Sequence, residues 1–316
     1  AAVRPPAAPE RRRVTQGGAL RVPDGRQGPG PMPPAIVEAL DLVVARRAAG
    51  LLPGDRRSAG IGSGTELAQL RAYQIGDDVR QIDAAATART GAPQVRVHVP
   101  ERTLTTWMVI DVSPSMAFGT AQRLKSDIAE GVALVIGRLA IRRAGRVALV
   151  TFGSGHSRLL PPRGSRPGLI ALRRTLAEGV GVDGASEPDA LAAALGRVGR
   201  VAGQPGFVFV VSDFRGVASW VNAMGALRMR HSVLAVEVRD PREGTLPAVG
   251  RLALIDPETG ERIEVDSNRR ALRERFAAAE RRDREHVASE LRRLRVEHVV
   301  LSTDGDWLLE LGRKLR

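Results

Sequence analysis

Cysteine is absent from this 316-residue chain. That excludes disulfides, thiolate metal ligands and Cys–His catalysis, and nothing calls for an oxidising compartment. Aromatic residues are scarce, at 3%. Lysine is confined to Lys125 and Lys314 although the net charge is +13. The positive charge is arginine, which with abundant Ala, Gly, Val and Pro points to GC-rich coding rather than to selection for phosphate contacts. No apolar run approaches the ~20 residues that cross a bilayer. The start, Ala1-Ala2-Val3-Arg4-Pro5-Pro6, lacks the apolar core of a signal peptide. These absences predict a soluble, cytoplasmic protein.

What remains is an ordinary globular balance, 43% hydrophobic and 26% charged, in a chain long enough for one large domain or two. Residues 1–32 are rich in Pro, Gly, Ala and Arg without apolar periodicity, which predicts a disordered arm. Residues 33–102 read as a helix over 33–49 followed by a small β-containing module of short elements and turns. In it Gly60–Gly64 is a flexible loop, Gly76-Asp77-Asp78 a turn, and Val95, Val97 and Val99 alternate as in a strand. From 103 to 316 strand and helix patterns alternate, which predicts an α/β fold: a doubly wound, mostly parallel sheet. Strands are expected at 105–110, 146–152, 206–212, 231–238 and 296–301, with a short edge strand at 158–160. A β-hairpin near 250–266 interrupts the rhythm. After it, a charged helix over 268–295 carries Leu272, Phe276, Ala279, Val287, Leu291 and Leu294 as its buried stripe.

The chemistry concentrates at Trp107–Met116, where an apolar run ends in Asp111-Val112-Ser113-Pro114-Ser115. A carboxylate and two hydroxyls are hard oxygen donors, suited to magnesium, calcium or manganese. The bland alternative is a helix-entry turn with serine as its N-cap. A second apolar run, Phe207–Ser212, also terminates in an aspartate, Asp213. If the two runs are neighbouring strands, both carboxylates leave the same rim where strand order reverses, the usual place for a ligand. Two such carboxylates resist ionising unless a cation or proton lies between them. Magnesium resolves the conflict, with Ser113 and Ser115 supplying hydroxyls and Asp111 and Asp213 acting directly or through water.

Enzyme readings are weaker. The histidines His98, His156, His231, His286 and His298 show no His-Glu-x-x-His spacing and no Gly-x-Ser-x-Gly accompanies them. A metal-dependent phosphohydrolase of the Asp-x-Asp-x-Thr kind would need a carboxylate where Ser113 stands. A basic nucleic-acid or polyanion-binding protein is the other alternative, using Arg11-Arg12-Arg13 and the helix at 268–295. Mixed runs such as Glu280–Glu285 nevertheless read as solvated faces of opposite charges.

These residues resemble a von Willebrand factor A-type domain with its metal-ion-dependent adhesion site. Asp111, Ser113, Ser115 and Asp213 match that pattern, and the resemblance implies a hydroxyl from Gly184–Asp189, where Ser186 stands for the usual threonine. Upstream, Leu70–Asp83 with Thr87-Ala88-Arg89, Pro100-Glu101-Arg102 and the Asp256–Gly260 turn is similar to a bacterial family known as domain-of-unknown-function family 58. The likeness runs from about Gly60 to the C-terminus, with Ala84 where the family has tryptophan. It implies a non-enzymatic, Mg2+-dependent (or Mn2+- or Ca2+-dependent) interaction module. The implied partner is a MoxR-type AAA+ ATPase, or a client protein offering an acidic side chain.

Overall fold

The computed structural model describes residues 66–99, 104–121, 123–155, 157–181, 187, 189–256 and 258–314. The arm at 1–32, the helix expected at 33–49, the Gly60–Gly64 loop, Ser186 and His156 therefore lie outside the described residues.

The central strand β3 (Thr105–Asp111) is buried along nearly its whole length, with an apolar middle, Trp107–Ile110, because both of its faces are covered. Met108 and Ile110 point to one core layer, Trp107 and Val109 to the other. Around it a six-stranded sheet is built from β4 (Arg146–Phe152), β5 (Leu159–Gly164), β6 (Phe207–Ser212), β7 (Ser232–Arg239) and β10 (Glu297–Ser302), in the order β10-β7-β6-β3-β4-β5. All neighbours run parallel except β5, which closes one edge antiparallel to β4. The chain moves from β3 to β4 on one side and later returns to β6 on the other. Strand order thus reverses between β3 and β6.

Helices cover both faces. On the first lie α2 (Lys125–Arg142), α3 (Ser165–Leu176) and α7 (Trp307–Lys314), with Ile128, Val135, Leu172 and Trp307 packed on the sheet. On the second lie α4 (Ala190–Val201), α5 (Trp220–Arg228) and α6 (Arg270–Arg293), with Leu195, Met224 and Leu291. The doubly wound, mostly parallel sheet expected from the alternating pattern is what forms. The stripe expected on α6 is narrower than its spacing suggests: Val287 and Leu291 are buried, whereas Leu272, Phe276, Ala279 and Leu294 are only half-buried. Among the described residues, no helix is long and apolar enough to cross a membrane.

Ahead of the sheet, β1 (Glu66–Ala72) pairs antiparallel with β2 (Gln94–Val99), and α1 (Ala84–Thr90) lies between them in sequence. The acidic residues of the family-like segment hold this module together. Asp77 accepts two hydrogen bonds from the Arg71 guanidinium, at 2.8 and 2.6 Å. Asp83 caps α1 through Ala86 N at 2.8 Å and takes Arg96 Nε at 2.8 Å on its other oxygen. Ala84, the departure from the family pattern, is an exposed first residue of α1.

The hairpin strands β8 (Arg251–Ile255) and β9 (Arg262–Asp266) pair only with each other and form a separate ribbon.

Candidate metal centre

Parallel pairing of β3 with β6, in register at Ile110 and Val211, brings Asp111 and Asp213 to one rim of the sheet at the point of strand reversal. Both are buried, as are Ser113 and Ser115 (4, 2, 5 and 4% exposed). Beyond β3 the backbone continues to pair with β4 through Val112 N and Phe152 O, 2.9 Å apart. It then enters a 3-10 turn, Pro114–Ala117, that carries Ser115. Ser113 precedes that turn but its hydroxyl makes no capping hydrogen bond. Its Oγ instead lies 3.0 Å from Ser115 Oγ. The serines are therefore not there to start a helix. The following helix α2 begins ten residues after Ser115, with Asp127 accepting from Leu124 N at 2.7 Å.

The four residues form one connected group. Asp111 Oδ1 accepts from Ser113 N at 2.9 Å, and Asp111 Oδ2 accepts from Ser212 Oγ at 2.5 Å. The proximity of Ser113 to Asp111 and of Ser115 to Asp213 lowers both carboxyls against their burial. Gly153, at the end of β4, lets the next loop close over them. Its φ is +86°, and a Cβ there would stand 2.7 Å from Ser113 Cβ and 3.0 Å from Asp111 Oδ1. Phe214 carries a φ of +52°, a costly conformation for a bulky residue. It is held by its amide on Ser212 Oγ at 2.9 Å and by edge-on packing against Trp220.

Charge separates the two aspartates. Burial raises the Asp213 carboxyl, but the Lys125 ammonium and then Arg215 outweigh it and hold that carboxyl below its usual range. Lys125 Nζ donates to Asp213 Oδ2 at 2.6 Å and to Glu243 Oε1 at 2.5 Å, with its side chain fully buried. No such cation pairs with Asp111 among the described residues. Burial first, then the neighbouring Asp213 charge, push it up to about 7 against the hydrogen bonds from Ser113 and Ser212. One carboxylate of the pair is neutralised by the protein and the other is not.

A third carboxylate reaches the same rim from 143 residues away. Glu258, in the turn between β8 and β9, accepts from Ser115 N through Oε1 at 3.2 Å. Its Oε2 is buried and accepts no hydrogen bond among the described residues. An unpaired buried carboxylate oxygen is unfavourable by a few kcal/mol, on the order of 1–3.

The donor set fits a hard divalent cation. Six oxygens at ~2.1 Å and right angles place adjacent ligands ~3.0 Å apart, the separation found between the two serine oxygens. Among the described residues no three carboxylates or histidines converge on one point; within the set it is Asp111, raised to about 7 beside Asp213, whose charge a cation would relieve. Ser186 lies outside the described residues. Gly181 is described, and its amide donates to Val112 O at 2.6 Å.

Lys125, Glu243, Glu258 and Arg215 were not expected from the sequence. For Lys125 a signal existed: one of only two lysines in an arginine-biased chain stands at the mouth of the site. A compact ammonium fits between two buried carboxylates where a planar guanidinium does not.

Residues 69–286 match the family model described as "Protein of unknown function DUF58". An uncharacterized protein of Mycobacterium tuberculosis strain H37Rv is 37% identical over 282 residues, covering 88% of this chain and 87% of its own length. An uncharacterized protein of Mycobacterium avium is 36% identical over 158 residues, 49% of this chain and 90% of that one. Among solved structures, the conserved hypothetical protein BatB from Bacteroides thetaiotaomicron superposes with a TM-score of 0.42 at 17% identity, covering 67% of this chain and 97% of that one. The SpRpn10 VWA domain superposes with a TM-score of 0.38 at 10% identity, over 66% and 93% of the two chains.

Proposed function

The chain belongs to the DUF58 family, and from that premise we propose that it is a non-enzymatic interaction module that captures a partner's carboxylate through a divalent cation. Asp111, Ser113, Ser115 and Asp213, with Ser186 from the second loop, are the residues that would hold Mg2+, with Mn2+ or Ca2+ as substitutes. The carrying observation is Asp111: a buried carboxylate given only neutral donors, beside two hydroxyls spaced as neighbouring ligands. When bound, the ion supplies a strong, directional attraction for an acidic oxygen. The chain's own work is positional. Asp111 is fixed by Ser113 N and Ser212, Asp213 by Lys125, and Gly153 leaves room for the loop to close. The partner is, by the family resemblance, a MoxR-type AAA+ ATPase, with this chain as an adaptor in the cytoplasm that presents or remodels client proteins.

Calorimetric titration of the purified chain with Mg2+ and Mn2+ tests the first half. Wild type takes one ion per chain and Asp111→Ala takes none. Equal heats from the two proteins would remove the metal reading. For the partner, capture of the purified ATPase is expected from wild type in Mg2+, lost in EDTA and lost with Asp111→Ala. Capture that ignores EDTA and D111A but collapses with salt would instead assign the arginine-rich surface to polyanion binding.

A further inference from the structure

The β8–β9 ribbon is attached at its base and again at its tip. At the base, Ser267 is fully buried, donates through Oγ to Gly250 O at 2.8 Å, and accepts from Val249 N at 3.1 Å. Its own amide donates to Gly250 O at 2.7 Å. Between base and tip the strands are largely open to solvent: Arg251, Ala253, Arg262, Ile263 and Glu264 are exposed. A two-stranded ribbon of this kind has little stability of its own.

The tip is built with more care than the flanks. Asp256 accepts from Glu258 N at 2.9 Å on one oxygen and from Thr259 Oγ1 at 2.9 Å on the other. Its carbonyl accepts from Gly260 N at 2.7 Å, and Gly260 takes the left-handed conformation (φ +76°) that closes the turn. This bracing holds Glu258 so that its carboxylate lies against Ser115, one oxygen on the Ser115 amide and the other buried without a donor. A solvent-facing turn has no need to desolvate a carboxylate, since any conformer directed outward would recover its hydration.

We infer that Glu258 is the chain's own carboxylate ligand at the rim site, occupying in cis the position that an external acidic partner takes, so that the ribbon acts as a displaceable plug. The inference rests on the metal reading above and deepens it. Three features support it together: the ribbon brings a carboxylate to the serine loop, its second oxygen meets no donor among the described residues, and the hydrogen bonds described between the ribbon and the rest of the fold lie at its base and tip. Displacing the tip costs one hydrogen bond to Ser115 N and the contact of Glu258 with the ion. A partner carboxylate restores both.

The test uses the full chain, Mn2+ as the ion, and a short peptide with a single central glutamate as the external ligand. Wild type, Glu258→Gln and Asp111→Ala are compared by Mn2+ titration, by water-proton relaxation of the Mn2+-loaded protein, and by peptide affinity in Mn2+. Glu258→Gln, at an exposed turn, leaves the fold intact. It is expected to bind Mn2+ about tenfold more weakly, to carry an additional exchanging water on the ion, and to bind the peptide at least about tenfold more tightly, which is the relief of an internal competitor. Unchanged Mn2+ affinity and hydration in Glu258→Gln, or unchanged peptide affinity, while Asp111→Ala has lost Mn2+, overturns the plug and leaves the metal site standing. A wild-type chain that takes up no Mn2+ overturns both.

Discussion

Two buried carboxylates on the same parallel sheet have opposite fates. Glu237, on β7, is met by Arg239 at 2.7 and 2.8 Å, by Arg284 at 2.8 Å and by His298 Nε2 at 2.9 Å. Burial raises its carboxyl, but those partners more than offset it and hold it down to about 2. Asp111, on β3, receives only a backbone amide and hydroxyls, faces Asp213, and is pushed up to about 7. Both are almost completely shielded from water, so burial alone does not separate them. The difference lies in who supplies the compensating charge. At Glu237 the protein has finished the task with its own cations, and the cluster is structure. At Asp111 the task is left open, which is the condition for accepting a cation from outside.

Asp213 lies between these cases, and Lys125 is what makes it resemble Glu237. Replacing Lys125 by methionine keeps the aliphatic stem but removes the fully buried ammonium, leaving Asp213 with Arg215 at 3.9 Å and Glu243 with Arg215 at 3.3 Å and Arg284 at 3.6 Å. Removing one partner of a buried ion pair typically costs about 3–5 kcal/mol, and this is the largest effect expected of any substitution in the comparison. Chemical denaturation at pH 7 measures it. A loss below about 1 kcal/mol would mean that Lys125 does not set the charge state of Asp213, and the contrast between the aspartates would dissolve.

Glu237→Gln tests the other pole. The glutamine retains size and one acceptor but leaves Arg239 without its counter-charge and takes one of three from Arg284, which keeps Glu280 and Glu243, for an expected loss of about 2–3 kcal/mol at pH 7. The pH dependence is the sharper readout. A carboxyl held near 2 in the folded state and near 4.5 when unfolded contributes stability that is full above about 4.5 and disappears as pH falls toward 2. The wild-type stability curve therefore declines across that acid window, and the variant's curve is flatter there. Equal slopes would show that Glu237 gains nothing from its partners.

The comparison also explains what could be read from the amino-acid sequence. Asp111 and Asp213 were legible because each closes or follows a strand with an apolar run, Trp107–Ile110 and Phe207–Val211, and adjacent strands carry such runs to a common rim. The serines were legible because they follow Asp111 within four residues. The partners these residues meet were not, since Lys125 joins Asp213 across 88 residues and Glu258 joins Ser115 across 143. Local periodicity predicts which face a residue occupies and carries no record of which distant side chain it meets there. The same limit applies to α6, where apolar spacing marked six core positions and the packing used two in full.

Asp111→Asn carries the smallest expected effect and the most diagnostic sign. In metal-free buffer a carboxyl raised to about 7 in the folded state, against 3.8 in the unfolded chain, makes the folded protein the tighter proton binder between those values. Stability from this group is highest below about 4, declines as pH rises toward 7, and stays low above it. Asparagine never ionises, so the variant escapes that decline. At pH 8 without metal it is expected to be more stable than wild type by roughly 1–2 kcal/mol, while near pH 4 the two should be alike. Adding Mg2+ should reverse the ranking at pH 8, because the ion stabilises wild type by mass action and does nothing for the variant. Thermal melts at the two pH values, with and without Mg2+, give all four quantities. A structural aspartate would behave as Glu237 does, losing stability on neutralisation at pH 8; a gain there identifies a charge whose burial serves binding rather than folding.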